Sequence, residues 1–179
     1  MGRMVLRKEV NLLAWRSPAT AEAAHASATT PAGDVVLTRG PGSRTRPEAA
    51  AESWENWIFS LRGEPRMEVH GLGAPGALSR KLLGRGIAGT FDGEAFKVSV
   101  SSAFAPSKRS VDIAGTTVDI AFKVAGLNIH LLQKGECRGV RNAGKWDISV
   151  PDDAAALSAC LFEWADMDHF LRMPGLRLL

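Results

Sequence analysis

Residues 152–170 read DDAAALSACLFEWADMDHF, and between Ala154 and Ala165 only Ser158 and Glu163 are polar. Pro151 and the two aspartates start a helix there: Asp152 can accept from exposed amide groups, and negative charge suits the positive end of the helix dipole. The side chains that follow are apolar all the way round, and such a helix must be enclosed. Its apolar part, about 12 residues at roughly 1.5 Å each, spans on the order of 18 Å, too short for a bilayer. The alanines of its first turns let surrounding strands approach closely.

The preceding sequence supplies candidate walls. GIAGTFDGEAFKVSV (86–100) carries Asp-Gly, the preferred pair for a two-residue I′ turn, since both central positions need positive φ. That turn predicts the pairs Phe91 with Glu94, Gly89 with Phe96 and Ile87 with Val98. A second hairpin from TTVDIAFKV and LNIHLLQ, closed at Ala125-Gly126, predicts Val124 with Leu127, Phe122 with Ile129 and Ile120 with Leu131. One face is then apolar, and the other carries Asp119, Lys123, Asn128 and His130. Lys134-Gly135 and Ala143-Gly144 continue the meander through Cys137–Arg141 and Trp146–Val150. Upstream, WENWIFSL and PRMEVH form a hairpin about a Gly-Glu-Pro turn, DVVLT (34–38) is a short strand, and the first strand falls within Val5–Trp15.

Strands with one apolar face need something to cover, and this helix needs something to hide in. The expected fold is mainly β (α+β): an antiparallel meander β-barrel wrapped around a C-terminal hydrophobic helix. An α+β sandwich with the helix wedged beside the sheet is the alternative. Residues 1–179 are expected to form a single domain, with flexible polar inserts near 17–33 (SPATAEAAHASATTPAG) and 40–53.

The net charge is +3, and residues 1–110 carry 15 basic and 10 acidic side chains against 7 and 9 in the remainder. The excess permits a basic patch for phosphate-bearing partners but lacks the dense Lys/Arg stripe of a nucleic-acid binder, so no nucleic acid is expected. Two cysteines make no disulfide framework, and no Cys/His spacing suits structural zinc. Lys8, Glu9 and Asn11 interrupt the apolar N-terminal stretch before a signal-peptide core forms, and no 18-residue apolar run occurs. A cytoplasmic protein without a transmembrane segment is expected.

GTFDGEAFKVSV, the SRK element at Ser79–Lys81 before it, and GKWDISVPDDAAALSACLFEW together resemble the tubby-like superfamily, which includes tubby C-terminal domains, phospholipid scramblases and LURP-one-related proteins. The resemblance covers about residues 54–170. In the family this helix is usually the last element, whereas here ADMDHFLRMPGLRLL continues past it. The resemblance implies a non-catalytic binding or scaffold module that recognises anionic phospholipid head groups or a protein partner through basic loop residues. On this chain those residues are Arg80, Lys81, Arg85, Lys108 and Arg109, in RKLLGR and PSKRS beside the central hairpin.

Other constellations compete with that reading. GLGAPG (71–76) matches G-x-G-x-x-G, follows a candidate strand, precedes ALSRKLL and has Asp92 about 20 residues on, as a dinucleotide fingerprint asks. A nucleotide-binding enzyme or sensor using Gly71–Gly76 is therefore the alternative function, although Asp92 also serves the Asp-Gly turn. GRGIAG (84–89) runs straight into a hairpin and leaves no helix N-terminus for a phosphate. Glu163, Asp166 and His169 share one side of an extended helix like half of a carboxylate metal site, but a second half is missing. The helix is expected to leave the core near Asp166, with a stop or a nearby arginine relieving Asp166 and Asp168 of the opposing dipole. Cys137 with His130 would be a nucleophile and base; buried free cysteines, as expected of Cys160, behave as small hydrophobes. His25 and His70 fall in loop-like or edge positions. No catalytic residue, metal site or cofactor is assigned.

Overall fold

A computed structural model of the chain describes residues 2–6, 24–40 and 56–172. Twelve strands follow one another: β1 (Gly2–Leu6), β2 (Ala26–Thr30), β3 (Gly33–Gly40), β4 (Asn56–Leu61), β5 (Glu64–Val69), β6 (Ile87–Phe91), β7 (Glu94–Ser101), β8 (Ser110–Gly115), β9 (Asp119–Ala125), β10 (Asn128–Gln133), β11 (Glu136–Asn142) and β12 (Lys145–Ile148). Helix α1 (Ala77–Gly84) lies between β5 and β6, and α2 (Asp153–Trp164) and α3 (Asp168–Arg172) follow β12. Each strand pairs antiparallel with the next, and β1 sits between β12 and β2, closing a barrel. A closed barrel leaves no strand edge unpaired.

The Asp92-Gly93 turn has φ of 50° and 83° at its two residues, and it sets the register its sequence predicts: Phe91 with Glu94, Gly89 with Phe96, Ile87 with Val98. The hairpin of β9 and β10 is displaced by two residues from expectation. Ala125 pairs with Asn128 and Phe122 with Leu131, so the turn is Gly126-Leu127. Only Gly126 of the two takes positive φ, at 62°, as the first central position of a II′ turn requires. Because the side-chain period is two, this displacement leaves Ile120, Phe122, Ile129 and Leu131 facing inward and buried, and puts Leu127 on the tip. In the hairpin of β4 and β5 the turn is Arg62-Gly63, not Gly-Glu-Pro, and Pro65 enters β5 where the register shifts between Phe59 and Ser60. A bulge is one of the few places a strand accepts proline.

The polar insert expected near 17–33 contains a wall strand. Ala26, Ala28 and Thr30 of β2 point inward and are buried, and small side chains there leave room for the helix inside. Residues 17–23 of that insert, nearly all of the 40–53 insert and residues 7–15 of the expected first strand lie outside the described residues.

Helix α2 fills the barrel. Every residue from Ala154 to Trp164 is buried except Glu163, and the helix touches β2, β4, β9, β10 and β12 around the wall. Asp152 caps it, its carboxylate accepting from the Ala155 amide at 2.8 Å. Phe162 stacks on Phe122 at 4.4 Å between ring centres and meets Trp146 edge-on at 5.8 Å, while Trp164 stacks on Phe59 at 5.7 Å. Phe96 lies across Gly89 and Gly115 on the neighbouring strands; a Cβ at Gly89 would run into its ring and into the Glu68 carbonyl.

The meander gives the barrel two unlike ends. At the turn end the connections are short (31–32, 62–63, 92–93, 116–118 and 134–135) and α2 begins. At the lid end lie residues 70–86 with α1, residues 102–109, the Gly126-Leu127 and Ala143-Gly144 turns, the C-terminus of α2, and α3.

Candidate functional site

GLGAPG crosses the mouth of the barrel at the lid end. Trp57, inward on β4, donates its indole N–H to the Gly73 carbonyl at 2.8 Å, and the Gly71 amide donates to Asn56 Oδ1 at 2.8 Å. Leu72, Ala74 and Leu83 are buried beneath this segment, so it and α1 plug the mouth. The context of a dinucleotide loop does not arise. Strand β5 before it is antiparallel to both neighbours, and Asp92 sits at the opposite end of the barrel, ion-paired with Arg66. GRGIAG spans the end of α1 and the start of β6.

Of the five predicted basic residues, Lys81, Arg85 and Lys108 are exposed at the lid end, and among the described residues they form no ion pair. Helix α1, which carries Lys81 and ends one residue before Arg85, packs against β7, and residues 102–109 follow β7 directly. Arg80 is committed to Asp166, at 2.7 Å. Arg109 corrects the expectation of an exposed cation: it is 4% exposed and donates to three carbonyls, Ala103 at 2.8 Å, Phe104 at 2.7 Å and Leu171 at 3.0 Å. A guanidinium with five fixed donors suits such a task. It ties residues 102–109 to α3 instead of facing a ligand.

The helix leaves the core where expected. Ala165 caps α2, Asp166 turns with φ of 54°, and α3 begins two residues later. The break removes the common face that Glu163, Asp166 and His169 would share on one helix: Glu163 turns to Arg141, Asp166 to Arg80, and the His169 ring lies against Phe170. Among the described residues no three His, Cys, Asp or Glu side chains gather into a metal-sized cluster.

Arg141 is the residue that sequence reasoning missed. It pairs across the sheet with Ile129 and Trp146, both inward, and so it points into the barrel, where it meets Glu163 at 2.5 Å and Asp168 at 3.0 Å. Trp146 donates its indole N–H to the same Glu163, at 2.8 Å. Burial pulls the Arg141 guanidinium down, but the two carboxylates more than offset this and hold it above its usual value. The lone charge on an otherwise apolar helix was the available signal, because a buried carboxylate needs a cation.

The structure brings Cys137 and His130 together, with Sγ 3.9 Å from Nδ1, but on the outside of the wall. Strict alternation would aim Cys137 inward with Gly139 and Arg141; the register shift between Leu131 and Leu132 turns it out. Cys137 also lies 3.5 Å from the Gly139 carbonyl, and among the described residues no carboxylate bonds to the pair. Cys160 is fully buried in α2, and burial, helped by the Glu163 charge, pushes its thiol up and keeps it a neutral hydrophobe. His25 lies just ahead of β2, outside the strand as expected, but is buried, with its amide on the Leu37 carbonyl; His70 is exposed beside the lid.

Charge divides along the barrel axis. Asp34, Glu64, Asp92, Glu94, Asp119, Glu136, Asp147, Asp152 and Asp153 lie at or next to the turn end, against Arg3, Arg62, Arg66, Lys134 and Arg138. The exposed, unpaired cations of α1 and residues 102–109 lie at the lid end. No helix of the described residues is long and apolar enough to cross a membrane. Compared with protein-family models, with curated proteins and with solved structures, the chain matches none.

Proposed function

We propose that the protein is a non-catalytic binding module of the tubby-like kind, which recognises an anionic, phosphate-bearing head group at the lid end of its barrel. One observation carries this reading: Lys81, Arg85 and Lys108 are left unpaired beside Arg80, Arg109, Arg141 and Arg172, each of which is committed to a carboxylate or carbonyl. Three exposed cations at one end of the barrel, without an ion pair among the described residues, give that end an attractive field for anions. The central helix within a β-barrel, with basic residues outside it, also agrees with the family resemblance of the sequence.

The test is co-sedimentation with vesicles of phosphatidylcholine alone and with phosphatidylserine or a phosphoinositide added. Each basic residue near an anionic surface contributes about 1 kcal/mol, so the triple reversal Lys81→Glu, Arg85→Glu and Lys108→Glu is expected to weaken binding at least ~100-fold. Binding of the native protein should fall as salt rises. Vesicle and soluble-phosphate binding that is absent at low salt, or indifferent to the triple reversal, removes the proposal.

A further inference from the structure

Among the described residues, the two most exposed large apolar side chains are Phe104, 89% exposed, and Leu127, 93% exposed, and both stand at the lid end. Neither is explained by the fold. Phe104 has its backbone held by the Arg109 side chain, which also grips Ala103, so the loop is anchored while the ring is left outside. Leu127 occupies the second position of a turn whose only conformational demand falls on Gly126. The short helical turn at Pro106–Lys108 packs on β9, whose last residue is Ala125, and this brings the two tips onto one side of the rim. Lys108 follows Phe104 by four residues in the same connection, and Arg172 lines a shallow hollow with Leu127.

We infer that the lid end docks flat on an anionic bilayer, with Phe104 and Leu127 inserted among the head groups and the surrounding lysines and arginines on the phosphates. This rests on the function proposed above and names its partner as a membrane surface rather than a soluble phosphate. Two single apolar tips on separate loops, one with Lys108 in its connection and the other beside Arg172, suit the layered polarity of a bilayer interface, where apolar groups sink below charges that stay wet. A stable protein interface instead needs a broad complementary patch of about 800 Å² on each partner. The acidic turn end completes the case, because the same surface would repel it and so orient the barrel with its lid toward the lipid.

The experiment uses the full chain with phosphatidylcholine vesicles, with and without phosphatidylserine, and soluble inositol hexakisphosphate as the phosphate without a bilayer. The double variant Phe104→Ala and Leu127→Ala is expected to melt like the native protein, since both side chains are solvent-exposed. It should bind anionic vesicles at least tenfold more weakly, with an unchanged salt dependence and unchanged inositol hexakisphosphate binding. An environment-sensitive fluorophore on Phe104→Cys, in a Cys137→Ser background, should brighten and shift to the blue with anionic vesicles and not with inositol hexakisphosphate. Native vesicle binding by the double variant, or a silent probe while vesicles bind, overturns insertion and leaves head-group recognition standing. Binding of inositol hexakisphosphate while anionic vesicles are not bound overturns membrane docking alone. If neither binds, both readings fall. If the two side chains prove to hold a dimer in sedimentation and vesicles do not bind, the face belongs to a second copy and the inference is overturned.

Discussion

At the turn end, Arg62 and Arg66 reach Asp153 at 2.6 and 3.2 Å and Arg66 also holds Asp92, and these pairs sit over two- and three-residue connections. At the lid end, the ties run inward: Arg141 lies inside the barrel on Glu163 and Asp168, and Arg109 lies under the surface on three carbonyls. Short turns need little beyond their own backbone geometry, whereas long connections must be fastened to the core by side chains. Lys81, Arg85 and Lys108, which form no ion pair among the described residues, sit in or beside two of the long connections, and the candidate binding surface lies there.

Both ends depend on the enclosed helix, so its loss is the largest effect. Leu161→Asp or Phe162→Asp should abolish soluble folding, since an unpaired charge in that core costs several kcal/mol, comparable with the whole stability. A soluble variant with a native melting curve would show that α2 is not enclosed. The next effect separates the ends. Arg141→Ala leaves Glu163 buried without its cation and should cost about 3 kcal/mol in urea unfolding, part of it recovered by adding Glu163→Gln. Hydrogen exchange should then rise in residues 165–172 before it rises in the Asp92-Gly93 hairpin. A loss below ~0.5 kcal/mol would put the lid-end pair on the same footing as a surface contact.

The smallest effect is expected at the turn end. Arg66 holds the Asp92 carboxyl below its ordinary range, chiefly by donating hydrogen bonds to it. The unfolded chain takes up that proton first on acidification, so the contribution is fully present above about pH 4 and disappears as pH falls through the depressed folded value. With side chains 26% and 37% exposed, the pair should contribute less than about 1 kcal/mol. Asp92→Asn should lower the urea midpoint slightly at pH 7 and converge with the native protein on acidification below the ordinary carboxylate range. A gap that widens on acidification would reverse the sign of this argument.

How far the fold and site were legible varied by element. The Asp92-Gly93 register was readable because a turn that demands two positive φ angles fixes its flanking pairs locally. The β9–β10 register was readable only modulo two residues, since burial specifies the face and Gly126 chose between two turns that bury the same side chains. Strand β2 was hidden because ASATT has no large apolar residue; its inward alanines make sense only beside the helix they face. At the rim Lys81, Arg85 and Lys108 are exposed while Arg109 is buried, and nothing in PSKRS distinguishes its arginine from the lysine before it.

The sequence by itself determined that this chain has a helix without a polar face, strands with one apolar face each, and hence an inside for the one within the other. Those are local periodicities, and burial energy acts on them wherever the chain goes. The tertiary structure alone decided that β1 closes the ring between β12 and β2, that Arg141 points in, that a bulge turns Cys137 out, and that Lys81, Arg85 and Lys108 share an end with Phe104 and Leu127. Each of these depends on which distant residue arrives opposite, and that is set by closure of the whole barrel rather than by any stretch of its sequence.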